Sequence, residues 1–214
     1  MSIPATLQLP AIRAYLQRFQ HVFQGLGGAP EADAYVRINE KTLPIHFCVV
    51  QAHSEALMTK VMEYSDDGTT AIIAWPLTQP HETLDSITAL FTYCYHFDYS
   101  GNNNASDLTL HMQVFALAFK YELPHLRGMA GYKFRKSAPE YISSEEFYQV
   151  IGASQADEVL VSGPGGEFSE LIAEVIADNR QLLSAEEGQR MLTRVVKEFP
   201  LLSLKIAAAY HRLD

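Results

Sequence analysis

The sequence predicts an α+β fold, with strands confined to the first half of the chain and helices filling the rest. Three observations carry this. Residues 109–134, TLHMQVFALAFKYELPHLRGMAGYKF, set Leu110, Val114, Leu117 and Tyr121 at helical spacing with one face inward. Residues 69–77, TTAIIAWPL, are β-branched and bounded by Gly68 and Pro76, the pattern of a short strand. From residue 143 onward, apolar stripes recur at helical spacing to the C-terminus.

The elements follow in order. Residues 10–25 form an amphipathic helix, with Ile12, Tyr15, Leu16, Phe19, Val22 and Phe23 on one side and Gly25, Gly27 and Gly28 ending it. An exposed aromatic stripe of this kind marks an interface, so Ile12, Tyr15, Leu16, Phe19 and Phe23 are candidate dimer contacts; the alternative is a helix packed on its own core. The strand over 69–77 comes next. The helix through Tyr121 is broken at Pro124, which disfavours helical backbone in the residue before it, and a second helix turns Leu126, Met129, Ala130 and Phe134 inward. After Ala138-Pro139 a helical tail begins. Ser143-x-x-Glu146 and Ser184-x-x-Glu187 read as capping boxes. The tail's inward positions are Phe147, Val150 and Ile151, then Phe168, Leu171, Ile172, Val175 and Ile176. Met191, Leu192, Val195, Val196 and Phe199 follow, and finally Leu202, Ile206, Ala209, Tyr210 and Leu213. The chain divides into an N-terminal helix (1–28), a central domain (29–138) and a helical extension (139–214).

Val114-Phe115-Ala116-Leu117-Ala118-x-Lys120-Tyr121-x-Leu123-Pro124-x-Leu126 resembles the penultimate helix pair of a BTB/POZ domain, especially the fungal type. That family opens with an Asp, two short strands, an apolar-His-basic helix, a Ser and a second short helix. Asp33 stands at the Asp, Val36 and Ile38 in the first strand, and Leu43 and Ile45 in the second. His46, Val49, Val50 and Ser54 match the next helix, and Leu57, Val61 and Met62 the inward face of the one after. Ile87, Leu90, Phe91 and Tyr95, within 83–99, resemble the long helix and its closing Tyr. The resemblance covers roughly residues 33–138. It implies a short three-stranded sheet flanked by helices, serving protein–protein interaction and not catalysis.

The match departs from the family at three places. Phe47 stands where the family has a Lys or Arg that pairs with the opening Asp in a charged partner pocket. That cation is absent here, although Arg37 or Lys41 from the neighbouring strands could substitute. His96-Phe97 stands for Thr-Gly, and without the glycine's left-handed turn the chain is expected to leave the long helix by another route. The polar insert 100–107, SGNNNASD, is a site for partner contact or disorder. Asp33, Phe47, His96, Phe97, Tyr99 and Asn103 are therefore the candidate partner-binding residues.

Composition narrows the partners. Hydrophobic residues make up 48% and charged residues 19% of 214, ordinary for a packed protein. No apolar run approaches the ~20 residues that span a bilayer, and no secretory signal is evident, so an intracellular, nuclear or cytoplasmic setting is expected. Cys48 and Cys94 read as small buried thiols. The net charge of −9 is uneven: +1 over 1–32, −3 over 33–138 and −7 over 139–214. Nucleic-acid affinity draws on phosphate neutralisation by cations, so direct binding is not expected.

No catalytic motif stands out. G-x-S-x-G, the Walker loop and H-E-x-x-H are absent. Gly163-Pro164-Gly165-Gly166 has no preceding strand or following Lys and reads as a loop. His46 and Cys48 point apart on a helix, as do Cys94 and His96, which disfavours a metal. His53 and Ser54 are adjacent and do not face each other. The series Phe91, Tyr93, Tyr95, Phe97, Tyr99 reads as core at Phe91 and Tyr95, with Tyr93 or Tyr99 partly exposed. No cofactor is expected. The sequence thus predicts an interaction module: a homo-oligomerising scaffold, with itself and a transcription or chromatin regulator as partners. The alternatives are an adaptor of a cullin-type ubiquitin ligase, or a small-ligand binder or enzyme using the Tyr-rich region.

Overall fold

A computed structural model describes residues 32–63, 72–99, 107–162 and 166–212. The helix expected over 10–25, with all five dimer candidates, lies outside these residues, as does Asn103. Among the described residues the chain is mostly helical with one small sheet, an α+β arrangement.

The sheet has the order β2-β1-β3. Strand β1 (Ala34–Ile38) turns back on β2 (Lys41–Ile45) through Asn39-Glu40, in antiparallel register from Ala34 opposite Ile45 to Ile38 opposite Lys41. Asn39 takes the left-handed backbone this tight loop needs, at φ 54. Alternate residues Ala34, Val36 and Ile38 face the core and are fully buried. Strand β3 (Ile72–Ala74) runs parallel to β1, with Ile73 beside Val36. It ends at Ala74, short of the Leu77 read from the sequence, and residues 69–71 lie outside the described residues. Trp75 adds one more ladder bond, to the Arg37 carbonyl at 2.9 Å, and Pro76 has no N–H to extend it.

Helices α1 (Phe47–His53) and α2 (Glu55–Glu63) follow the hairpin. Ser54 joins them. Its hydroxyl accepts from the Leu57 amide at 2.9 Å and donates to the Tyr121 carbonyl, tying this pair to a distant helix end. Leu57 and Val61 are buried as expected, but Met62 is exposed, because α2 covers the core with a narrower stripe.

Helix α3 (Leu84–His96) starts at a reciprocal cap. Thr83 Oγ1 accepts from the Ser86 amide, and Ser86 Oγ accepts from the Thr83 amide. Helix α4 (Asp107–Lys120) packs against α3 and then turns into α5 (Pro124–Tyr141). The Leu123 amide reaches back to the Ala118 carbonyl at 2.8 Å, and Glu122 holds the left-handed position at φ 54. Pro124 then opens α5, where a missing N–H costs nothing. Helix α5 runs across the 138/139 division, since Pro139 sits in its last turn.

The extension comprises α6 (Glu145–Ala156), α7 (Glu158–Ser162), α8 (Glu167–Asp178), a 3₁₀ turn (Leu182–Ser184), α9 (Glu186–Glu198) and α10 (Pro200–His211). It joins α4 and α5 through stacked and tilted rings. Phe168 lies 5.0 Å from both Phe115 and Phe134, and Phe134 lies 6.4 Å from Phe147. Buried polar contacts cross the same boundary, with His81 Nδ1 and Asp157 Oδ2 2.6 Å apart. Both expected capping boxes are corrected. Ser144, not Ser143, caps α6 by accepting from the Phe147 amide. Ser184 instead donates to the Gln181 carbonyl, leaving Ala185 to begin α9 with no side-chain cap. Val196 is exposed rather than inward, since α9 buries only Met191 and Val195 among its large apolar residues.

Glu122 provides a test of the α4–α5 turn. An L-residue in left-handed backbone costs roughly 1–2 kcal/mol, partly offset in glycine by its greater freedom when unfolded. Glu122→Gly is therefore expected to stabilise by about 0.5–1 kcal/mol, raising Tm by roughly 2–3 °C. A calorimetric melt with unchanged or lower Tm would contradict the turn geometry.

Candidate interaction surfaces

Of the candidate partner-binding residues, Asp33, Phe47, His96 and Phe97 sit around the two ends of α1, a helix about 10 Å long. At its start, the exposed Asp33 carboxylate accepts from the Phe47 amide at 2.9 Å, satisfying a helix N-terminal donor. Phe47 packs half-buried against the core. Among the described residues neither Arg37 nor Lys41 forms an ion pair with Asp33, so neither takes the place of the family's cation. Asp33 serves the backbone instead. His46 is the N-cap residue, and its amide donates to the Tyr95 hydroxyl at 2.7 Å, with its Nδ1 3.0 Å from the same oxygen. The Tyr that closes the long helix thus anchors the start of α1.

At the other end, His53 Nε2 lies 2.8 Å from the Cys94 carbonyl and packs its ring against Tyr93 and Phe97, with centroids 5.6 and 5.2 Å away. Phe97 is the C-cap of α3 and takes the left-handed conformation, at φ 54 and ψ 21. This corrects the expectation of a different exit. The ring's contacts with His53 and Tyr93 hold a conformation that glycine would adopt without them. His96 is half-buried beside it.

Tyr99 is buried, contrary to expectation, and so is Tyr93. The Tyr99 hydroxyl lies 2.9 Å from His111 Nδ1, and Lys133 Nζ sits 4.2 Å over its ring while pairing with Asp98 at 2.5 Å. Asp33 and Phe47 therefore share one locus, Phe97 and His96 a second, and Tyr99 belongs to the core. Burial also raises pKa values. It pushes Tyr93 and the Cys94 thiol up to about 12, and Tyr95 above its ordinary range. Cys48, read as buried, is exposed on the outer side of α1. Among the described residues no three His, Cys, Asp or Glu side chains gather as for a metal ion.

Two polar features were missed. Glu82 is buried, and its carboxylate accepts from the Thr78 and Gln79 amides, from Thr78 Oγ1 and from Lys120 Nζ at 2.7 Å. Burial raises its pKa, but the Lys120 and Thr78 bonds outweigh that and hold it below the usual value. Asp157 shows the same balance, with burial opposed chiefly by His81.

The second feature is an open cleft of about 450 Å³ between α5 and α8, lined by Phe115, Gly128, Gly131, Tyr132, Glu170 and Leu171 among others. Arg127 spans it to Glu167 at 3.1 Å and Arg135 to Glu174 at 2.7 Å. The available cue was the pair of helical glycines at i and i+3 between two arginines, on an outer face that the core periodicity does not read.

No protein-family model matches the chain, and no curated protein matches it either.

His53 gives this region a pH dependence. Burial lowers its pKa below 6.5, the Cys94 carbonyl opposes that, and His125 adds to the lowering. The unfolded chain then binds more protons than the folded one just below pH 6.5. The stability contribution is complete above that value and is lost as pH falls towards the folded pKa. Urea midpoints should fall between pH 7.5 and 5.5, and His53→Gln should flatten that slope. An equal slope in the variant would place the titration elsewhere.

Proposed function

We propose that the chain is a BTB/POZ-like protein-interaction module that assembles first with itself, as a scaffold for a further protein partner such as a transcription or chromatin regulator. One observation carries the reading: the element order. A two-stranded hairpin opened by Asp33, a helix after His46, a Ser54 junction, a second helix, a strand, a long helix closed by Tyr95 and a helix pair joined at Pro124 follow in the sequence the resemblance implies. The fixed roles of the landmarks add support. Asp33, His46, Ser54 and Tyr95 each make a bond that joins separate elements. The buried tyrosines offer little to the reading of a small-ligand site in the Tyr-rich region.

Light scattering tests the self-assembly. The full chain is expected to give twice its 23.9 kDa mass, and deletion of residues 1–28 to shift it towards monomer. A concentration-independent mass of one chain would refute the scaffold reading.

The second reading is a cullin adaptor, favoured by the direct packing of α6 and α8 on α4 and α5. Against it, Asp33 caps α1, and among the described residues no cation pairs with it to complete the charged pocket. Calorimetric titration with a cullin amino-terminal domain is expected to give no heat at tens of micromolar. Sub-micromolar binding, lost on mutating the 96–108 loop, would replace the scaffold by the adaptor.

A further inference from the structure

The cleft between α5 and α8 has features that select an occupant. Its floor is apolar, formed by Phe115, Gly131 and Leu171. Its two straps, Arg127–Glu167 and Arg135–Glu174, leave a section about 12 Å long between them, at 1.5 Å of rise per residue of α5. In that section a Cβ on Gly128 would meet nothing within 4 Å. Glycine weakens a helix interior relative to alanine, and no described residue uses the room it leaves. Tyr132 stands at the rim, 67% exposed, a residue type enriched at binding hot spots. The α8 edge is a row of carboxylates: Glu167, Glu170, Glu174 and Asp178. Glu170 lies in the unstrapped section, 55% exposed, with the Lys205 ammonium 3.8 Å away.

Residues 10–25 carry the complementary pattern. Their apolar side holds Ile12, Tyr15, Leu16, Phe19, Val22 and Phe23, and their charges are Arg13 and Arg18, with no acidic residue among residues 1–30. On a helix, Phe19 and Phe23 would present side chains with Cβ atoms about 5–6 Å apart, which fits between the straps. Arg18 beside them is matched by Glu170. We propose that residues 10–25 of one copy dock in the α5–α8 cleft of a second copy, Phe19 and Phe23 entering between the straps. The inference rests on the homodimer reading and names the surface that receives the segment.

The test uses the full chain. Gly128→Trp fills the open space, and is expected to raise the dimer dissociation constant at least tenfold in a light-scattering dilution series. Circular dichroism and Tm should stay unchanged. Should that variant misfold, charge exchange decides: Glu170→Arg should weaken the dimer several-fold, and Arg18→Glu in the same chain should restore it. Cysteine crosslinking then fixes the source of the segment. On a Cys48→Ser background, Gly128→Cys mixed with Gln20→Cys is expected to give a covalent species of twice the chain mass, which neither variant gives alone. A crosslink formed only within a chain carrying both substitutions would overturn the proposal in favour of docking on the same copy. A dimer indifferent to Gly128→Trp and to the charge exchange would overturn it while leaving the homodimer intact. A monomeric parent chain would remove both.

Discussion

Helix α4 is buried on nearly every side, and the remaining architecture follows from covering it. From Leu108 to Ala118 all its side chains are buried except Thr109, which is half-buried. A helix that is apolar all round cannot lie on a surface. Helix α3 covers part of it and α5 another part, but a helix pair leaves the Phe115 side open. The extension closes that side, with Phe168 against Phe115 and α6 and α7 alongside. The residues after 138 are thus continuous with the core of the first part, and among the described residues they are what covers this side of α4.

The same burial fixes the polar chemistry. His111, Gln113 and Lys120 lie on this helix, and a buried polar group without a partner costs about 1–3 kcal/mol. Each has one. His111 meets Tyr99, the Gln113 carbonyl accepts from Thr83 Oγ1, and Lys120 meets Glu82. These three contacts reach the segments flanking α3, so the loops before and after that helix are tied to α4 by hydrogen bonds as well as by packing. The left-handed exit at Phe97 belongs to the same arrangement: the chain must turn sharply to bring Tyr99 under Lys133 and beside His111.

Periodicity made the inward faces legible. Leu110, Val114, Leu117 and the stripe of α8 are where helical spacing put them, because a face buried against a large core has no other way to be satisfied. At margins the same rule failed. Met62, Val196 and Cys48 continue apolar runs on the sequence but stand at the edge of narrow buried stripes. Caps failed for a different reason. Ser143-Ser144 offers two starts one residue apart, and only the backbone angles choose between them. Ser184 met a competing acceptor in the preceding turn. The resemblance supplied Asp33 as half of a charged pocket, whereas local geometry gives it a helix amide to cap. Of the candidate site, the α1 contacts were legible as landmarks, but the cleft was not. Its glycines and arginines are ordinary residues on an outer face, and their meaning depends on which helix lies opposite.

The distribution of ionisable groups follows burial. Burial pushes the phenols of Tyr93 and Tyr95 and the Cys94 thiol further above neutrality, and the buried carboxylates Glu82 and Asp157 bond to amides and to Lys120 and His81. What faces solvent is a network of exposed charge across α5, α8 and α10, with Arg135 shared by Glu174 and Asp178 and Arg212 reaching Glu174 at 3.8 Å. Exposed pairs of this kind add little to stability, roughly 0–1 kcal/mol each. Their effect is positional. They place charge along both rims of a cleft that the core does not fill, while the separation of the two helices is set by the packing of Phe115, Phe134 and Phe168 beneath them.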